Sequence, residues 1–441
     1  MSSFTWVEPT PPCVDSWVPR WGCGPALLRD PAAFFRRSRA RLGDTFALEP
    51  FGYPLLCVFS PEGIRGLWAL PEKVASKGAA DFALLRHKVP DELFAGRRTF
   101  PHGLFARDDV DAYRRNLEGA VGLQLEELRG GGDFEAFAWA RRLGHRVGLA
   151  SWAGAEAASP RYLDRLVPLL DRLDSSESFV HPERAFWTIA TGKRAERRAL
   201  GELDAILGEL AARADANPDG PDDLFARIRA AWSDVEGPER LQGIARDVVL
   251  VHMGSQSNLF AALAWTLVHL LERPALLERV REGDDALLER CAHESIRLRQ
   301  RSMILRQVLR PAELFDGRHT YQLKLGAFVA TVLSVTNDSV LSGLEHFDPD
   351  HYAGRRFTRA DELEATESVT TFGFGAHSCP AQGFAILAIR HAVGELLRRF
   401  ELEPRFSEPK PLRRQLGGVA RADRPCRVAY RLRSDAASRT R

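Results

Sequence analysis

Hydrophobic positions recur at helical spacing through most of the middle of the chain. In YLDRLVPLLDRL (162–173) and ALGELDAILGELAARA (199–214) the leucines fall three and four apart, the mark of a helix with one buried face. The most apolar stretch is DVVLVHMGSQSNLFAALAWTLVHLLERP at 247–274, nearly long enough to span a bilayer. His252, Ser255, Gln256, Ser257 and Asn258 sit at its centre. Polar groups there are costly in lipid, so the stretch reads as a buried core helix. DTFALEPFGYPLLCVFSPEGIRGL at 44–67 alternates and breaks at Gly and Pro, which predicts a hairpin leading into a helix. DANPDGPDD at 215–223 is a loop by composition. After Pro311 the pattern changes to short strands and turns, then a long helix near 383–400 and an alternating final strand in PCRVAYRLRS (425–434).

The expected fold class is therefore mainly α with small β-sheets (α+β), as a single domain over 1–441. The β-rich portions are expected at about 44–70, 303–335 and 405–434, and the helical portions at about 75–300 and 383–400. Composition changes this little. The 441 residues are 45% hydrophobic and 27% charged, ordinary for a globular protein that buries a core. A formal net charge of +2 gives no reason to expect nucleic acid as a partner. The first 24 residues lack the basic start and apolar run of a signal peptide. Six cysteines with no CxxC pair suggest no disulfide framework. A cytoplasmic protein without a membrane anchor is the expectation.

Candidate chemistry concentrates in TFGFGAHSCPAQGFA (371–385), where a Gly-rich turn runs through a cysteine into a helix. Gly373 and Gly375 permit backbone conformations closed to other residues and let the chain lie flat against a planar ligand. A helix N-terminus offers free N–H groups and a positive dipole end, which stabilise a thiolate. Cys379 is thus a good metal ligand, and His377 is placed to hydrogen-bond a carboxylate on the same ligand.

Phe372, Gly373, Gly375, His377 and Cys379 together resemble the haem-binding signature of the cytochromes P-450. The resemblance implies haem b between the long central helix and the cysteine-loop helix, with Cys379 as axial ligand of the iron. The family usually has Gly two residues after the cysteine; here Ala381 adds a methyl group. Glu294 and Arg297 stand at the family's E-x-x-R spacing. HFDPDHYAGRRF resembles the segment that supplies a second arginine, Arg356, to complete a structural triad. The resemblance also makes Arg306 a haem-propionate ligand. The His or Trp that soluble members carry in an earlier helix is missing from DDVDAYRRNLEGAV, with Tyr113 or Arg115 as substitutes.

Most oxygen-activating members carry an acid followed by a threonine in the long helix, a proton relay to iron-bound dioxygen. Here the acid position reads Ser257 and the alcohol position Asn258, with Gln256 beside them and Gly254 as the small residue against the porphyrin. An amide hydrogen-bonds but does not pass a proton as a hydroxyl does. Ser255, Gln256, Asn258 and Trp265 resemble the branch that contains cholesterol 7α-hydroxylase and prostacyclin synthase. One of these hydroxylates with dioxygen; the other isomerises an endoperoxide. Phe94, Phe100, His102, Phe105, Met303, Ile304 and Val419 are expected to line an apolar substrate pocket.

The resemblance implies an oxidoreductase: a haem-thiolate monooxygenase of bacterial secondary metabolism, inserting one oxygen atom into a terpenoid, steroid or fatty-acid-like molecule. Electrons would come indirectly from NAD(P)H through a ferredoxin or flavodoxin, with Arg390, Arg398 and Arg399 as one docking patch. The alternative is an isomerase or dehydratase acting on a peroxide or N–O compound without dioxygen or a reductase.

Overall fold

The computed structural model describes residues 6–7, 9–15, 21–97, 104–105, 110–174, 187–217, 219–354, 357 and 361–433. In chain order the helices are α1 (Gly24–Arg29), α2 (Pro31–Leu42), α3 (Pro61–Ala69), α4 (Lys77–Leu85), α5 (Asp111–Glu126), α6 (Ala136–Trp152) and α7 (Pro160–Leu173). They continue as α8 (Arg194–Asp215), α9 (Leu224–Ala230), α10 (Gly237–Leu271), α11 (Pro274–Arg281), α12 (Asp285–Arg299), α13 (Leu333–Thr336) and α14 (Gln382–Arg399). The strands are β1 (Thr45–Leu48), β2 (Leu55–Val58), β3 (Ala75–Ser76), β4 (Gly131–Glu135) and β5 (Met303–Val308), then β6 (Ala312–Phe315), β7 (Thr320–Leu323), β8 (Phe328–Val332), β9 (Phe400–Pro404) and β10 (Arg427–Leu432).

The chain forms two compact units. The first comprises Met1–Leu85, Ile296–Ser378 and Pro411–Arg421; the second comprises Arg86–Ser295, Cys379–Lys410 and Ala422–Arg441. In the first, a five-stranded sheet runs β1-β2-β8-β5-β3, with the expected antiparallel β1–β2 hairpin at one edge. Successive side chains point to opposite faces, and both faces are covered. Phe46, Leu55, Cys57, Leu305 and Ala330 pack on one side; Leu56, Val58, Ile304, Val308 and Val329 pack on the other. Such two-sided burial explains why β2 is an unbroken apolar run.

In the second unit the 35-residue α10 is the axis, packed by α6, α8 and α14. Two glycines let α6 approach it closely. A Cβ on Gly144 would lie 3.3 Å from the Phe260 Cβ, and one on Gly148 would lie 2.4 Å from Trp152 and 3.2 Å from His252 Nδ1. Among the described residues no single helix is long and apolar enough to cross a membrane.

One expectation needs correcting: the 75–300 stretch is not uniformly helical, because β3 and β4 lie inside it. Three successive glycines at 130–132 have little helix preference. β10 captures them, pairing with β4 in a sheet of order β4-β10-β9 in which Phe134 faces Val428.

Candidate active site

The cysteine loop is bent where its glycines are. Gly373 has φ +83° and Gly375 φ +56°, and a Cβ on Gly373 would meet the His377 carbonyl oxygen at 2.3 Å. No other residue fits position 373. Cys379 is exposed, whereas Cys23, Cys57, Cys291 and Cys426 are buried. Its carbonyl accepts from the Gln382 N–H at 3.4 Å, where the 18-residue α14 begins. An accessible thiol thus stands at the head of a long helix.

Behind the loop stands Arg297. Glu294 and Arg297 lie on α12 and are 0% and 1% exposed. Arg297 donates to the carbonyls of Asn337, Leu344 (2.7 Å) and His346 (3.3 Å). Asn337, which sequence reasoning missed, ties this anchor to the loop. Its Nδ2 donates to the Arg297 carbonyl (3.2 Å) and the Thr370 carbonyl (3.1 Å), while its Oδ1 accepts from the Thr370 N–H (3.0 Å). Thr370 Oγ1 then donates to the Gly373 carbonyl at 2.8 Å. Arg356 lies outside the described residues.

A second cluster in the same unit gathers the groups expected to face carboxylates. Arg306, 1% exposed on β5, donates through Nε to the Ala75 carbonyl (2.8 Å) and through Nη1 to that of Leu67 (3.0 Å). Its Nη2 is 3.4 Å from Glu72 Oε2, and His377 Nε2 is 4.0 Å from the same oxygen. Burial pulls against ionisation of Glu72, but bonds from Ser76, Gly78 and Lys77 and the Arg306 charge hold its carboxyl below the usual range. Burial, then the Arg306 charge, pushes His377 below the ordinary imidazole value. Trp68 packs against both Phe374 and His377, at 6.1 Å between ring centroids in each case. Its buried indole N–H has no hydrogen-bond partner among the described residues.

In the second unit, α10 is buried on most of its length but exposes Gly254 and Asn258, four residues apart on one face. A Cβ on Gly254 would meet nothing within 4 Å. Ser257 is half-buried, and Gln256 is buried with an Oε1 that has no partner among the described residues. Tyr113, 4% exposed on α5, packs against Phe384 of α14 at 5.2 Å, whereas Arg115 is exposed. Phe105 joins this group, 5.9 Å from Phe384.

The remaining expected pocket residues are distributed over both units. Phe94 is half-buried in a short 3-10 turn (Asp91–Phe94) of the second unit. Met303 and Ile304 lie on β5 and pack into the two opposite cores of the five-stranded sheet. Val419 is buried and bridges to Gln300. Phe100 and His102 lie outside the described residues. The suggested basic docking patch is locally neutralised: Arg390 faces Glu289 (3.1 Å) and Asp285 (3.5 Å), and Arg398 and Arg399 face Glu395.

In the second unit the residues present fit a haem: Cys379 is exposed, the α10 face has room at Gly254, and the buried Gln256 Oε1 has no hydrogen-bond partner among the described residues. Comparisons with known proteins agree. The family model described as cytochrome P450 matches residues 240–429. Mouse 24-hydroxycholesterol 7-alpha-hydroxylase is 22% identical over 96% of this chain and 93% of its own length. Abscisic acid 8'-hydroxylase 2 of Oryza sativa subsp. indica is 24% identical over 85% of this chain and 78% of its own. A solved structure of the retinoic acid-bound cyanobacterial CYP120A1 shares the fold, with TM-score 0.73 and 19% identity over 96% of this chain and 99% of that one. Signature, fold and relatives converge: residues 240–429 match the cytochrome P450 family model, and over most of its length the chain is similar to enzymes of that family.

Proposed function

We propose that this protein is a haem-thiolate monooxygenase that inserts one oxygen atom of dioxygen into a lipophilic small molecule. The observation that carries the reading is Cys379, an exposed thiol at the head of α14 in a loop shaped by two positive-φ glycines. Bound haem supplies the redox centre at which dioxygen is activated. Cys379 holds the iron as thiolate. Arg306, His377 and the Trp68 indole N–H are the donors for the propionates, and Glu72 must turn outward or share Arg306 with them.

Gly254 lets the porphyrin approach α10, and Asn258 presents an amide that both donates and accepts a hydrogen bond. The Asn258 amide does not release its N–H protons as a hydroxyl relays its own, so Ser257 and the Gln256 carbonyl are the groups that hold a proton-carrying water. Relatives named for 24-hydroxycholesterol and abscisic acid support a sterol- or terpenoid-like substrate. Electrons arrive from NAD(P)H through a ferredoxin- or flavodoxin-type partner.

The Asn258 position also favours a second reading, rearrangement of a substrate that already carries an O–O bond, which needs no proton relay. The two separate in one experiment. Purified holoprotein is given candidate sterols and terpenoids with dioxygen and a reductase system, and hydroperoxides or endoperoxides with neither. Oxygen incorporation in the first arm alone is expected, and isomerisation in the second would refute the monooxygenase reading. The thiolate assignment is tested separately: Cys379→Ala should lose the red-shifted Soret band of the reduced carbon monoxide complex.

A further inference from the structure

A buried polar chain in the second unit has no part in the chemistry above. Trp152, 1% exposed at the end of α6, donates its indole N–H to His252 Nδ1 on α10 at 3.2 Å. His252 Nε2 lies 2.8 Å from His145 Nδ1, and His145 Nε2 lies 3.1 Å from Asp171 Oδ1 on α7. These contacts fix every tautomer. Because His252 Nδ1 accepts from tryptophan, the neutral imidazole carries its proton on Nε2 and donates to His145 Nδ1. His145 therefore carries its proton on Nε2 and donates to the carboxylate. Both histidines are 0% exposed, whereas the Asp171 side chain is 33% exposed and pairs with Arg141. The chain points one way, from a sealed indole to a carboxylate at the surface. Trp152 also packs on Phe384 of α14 at 5.4 Å, five residues beyond Cys379.

We propose that Trp152 is a proton-coupled electron donor, a second redox site whose indole proton is taken up by the His252–His145–Asp171 chain. In the step, Trp152 loses one electron while its N–H bond breaks and the proton joins His252 Nδ1. The Nε2 proton of His252 passes to His145 Nδ1. His145 becomes an imidazolium paired with the Asp171 carboxylate, and Trp152 becomes a neutral indolyl radical. The oxidant, by class, is a peroxide-oxidised haem–thiolate, which gains that one electron; only this clause rests on the haem reading. Two neutral imidazoles in line move the proton with little displacement of heavy atoms, and the new charge is separated from the indole and paired. The sealed position of Trp152 protects the radical from solvent. Oxidising equivalents not spent on substrate are thus held at the indole while its proton is carried to Asp171.

The test uses holoprotein in two arms, one with hydrogen peroxide and one with a photo-generated ruthenium(III) polypyridyl oxidant that needs no haem chemistry. Radicals are read by electron paramagnetic resonance and transient absorption. Wild type should give a deprotonated tryptophanyl radical with a solvent deuterium isotope effect on its formation. Trp152→Phe should lose that signal. His252→Gln keeps an acceptor for the indole but no base, and should give the protonated cation radical without the isotope effect. An unchanged radical yield in Trp152→Phe, or the same deprotonated radical in His252→Gln, overturns the proposal. If either variant fails to fold, wild type decides alone: absence of an isotope effect is equally fatal. A radical in the ruthenium arm with none in the peroxide arm leaves the site standing and counts against the haem oxidant.

Discussion

Asn337→Ala removes a side chain that touches neither the cysteine nor any expected ligand, yet it should cost both stability and haem. The substitution strands three buried groups at once: the carbonyls of Arg297 and Thr370 and the N–H of Thr370, now bonded at 3.2, 3.1 and 3.0 Å. Each buried group left unpaired costs at least about 1 kcal/mol, so the loss should be about 3 kcal/mol. Thr370 then loses its fixed position, and with it the 2.8 Å bond from Thr370 Oγ1 that holds the Gly373 carbonyl. The loop before Cys379 should loosen. Asn337→Asp should be no milder, because it keeps an acceptor for Thr370 N–H but turns a second oxygen toward two carbonyls. The assays are the urea midpoint followed by tryptophan fluorescence and the share of bound haem giving the thiolate Soret band. A change below about 0.5 kcal/mol, the range of an ordinary surface substitution, together with full haem loading, would refute the linkage.

Other consequences can be checked directly. Gly373→Ala places a Cβ 2.3 Å from the His377 carbonyl oxygen at φ +83°, so it should cost about 2 kcal/mol in backbone strain alone and lower haem occupancy. Arg306→Lys keeps the charge but not the guanidinium that spans the carbonyls of Ala75 and Leu67. Haem transfer to an excess of scavenging apoglobin should quicken about tenfold, or about 1.4 kcal/mol. Burial, then the nearby His145, holds His252 well below the ordinary imidazole value. The native state therefore binds fewer protons than the unfolded chain, so stability is complete above pH ~6.5 and is lost as pH falls. One such group should cost about 1.4 kcal/mol by pH ~5.5. Comparing urea midpoints across that interval in wild type and His252→Gln checks this, and the variant should show the shallower pH dependence.

What the sequence revealed follows the reach of each interaction. The cysteine loop was legible because its requirements are local: two glycines, a histidine and a cysteine at fixed spacing beside a helix start. Glu294 and Arg297 were legible for the same reason, being three apart on one helix. Asn337 was not, since VTNDSV looks like any turn and its partners Arg297 and Thr370 are 40 and 33 positions away. Trp68 was missed in the same way, as was the chain from Asp171 to Trp152, assembled from three helices. β4 was misread because the periodicity of its neighbours is helical and only pairing with β10 makes it a strand.

The way the two units share the chain sets limits on dissecting the protein. The backbone passes from one to the other after Leu85, Ser295, Ser378, Lys410 and Arg421. The crossing after Ser295 divides α12, leaving Glu294 in one unit and Arg297 in the other; the crossing after Ser378 divides the signature immediately before Cys379. No single cut releases either unit whole. Exchange of one whole unit with a relative would sever both α12 and the cysteine loop, whereas the crossings after Lys410 and Arg421 fall outside helices and strands. Chimeras of this protein should therefore be joined in turns, such as the loop around Gly220, and not at the borders after Ser295 and Ser378.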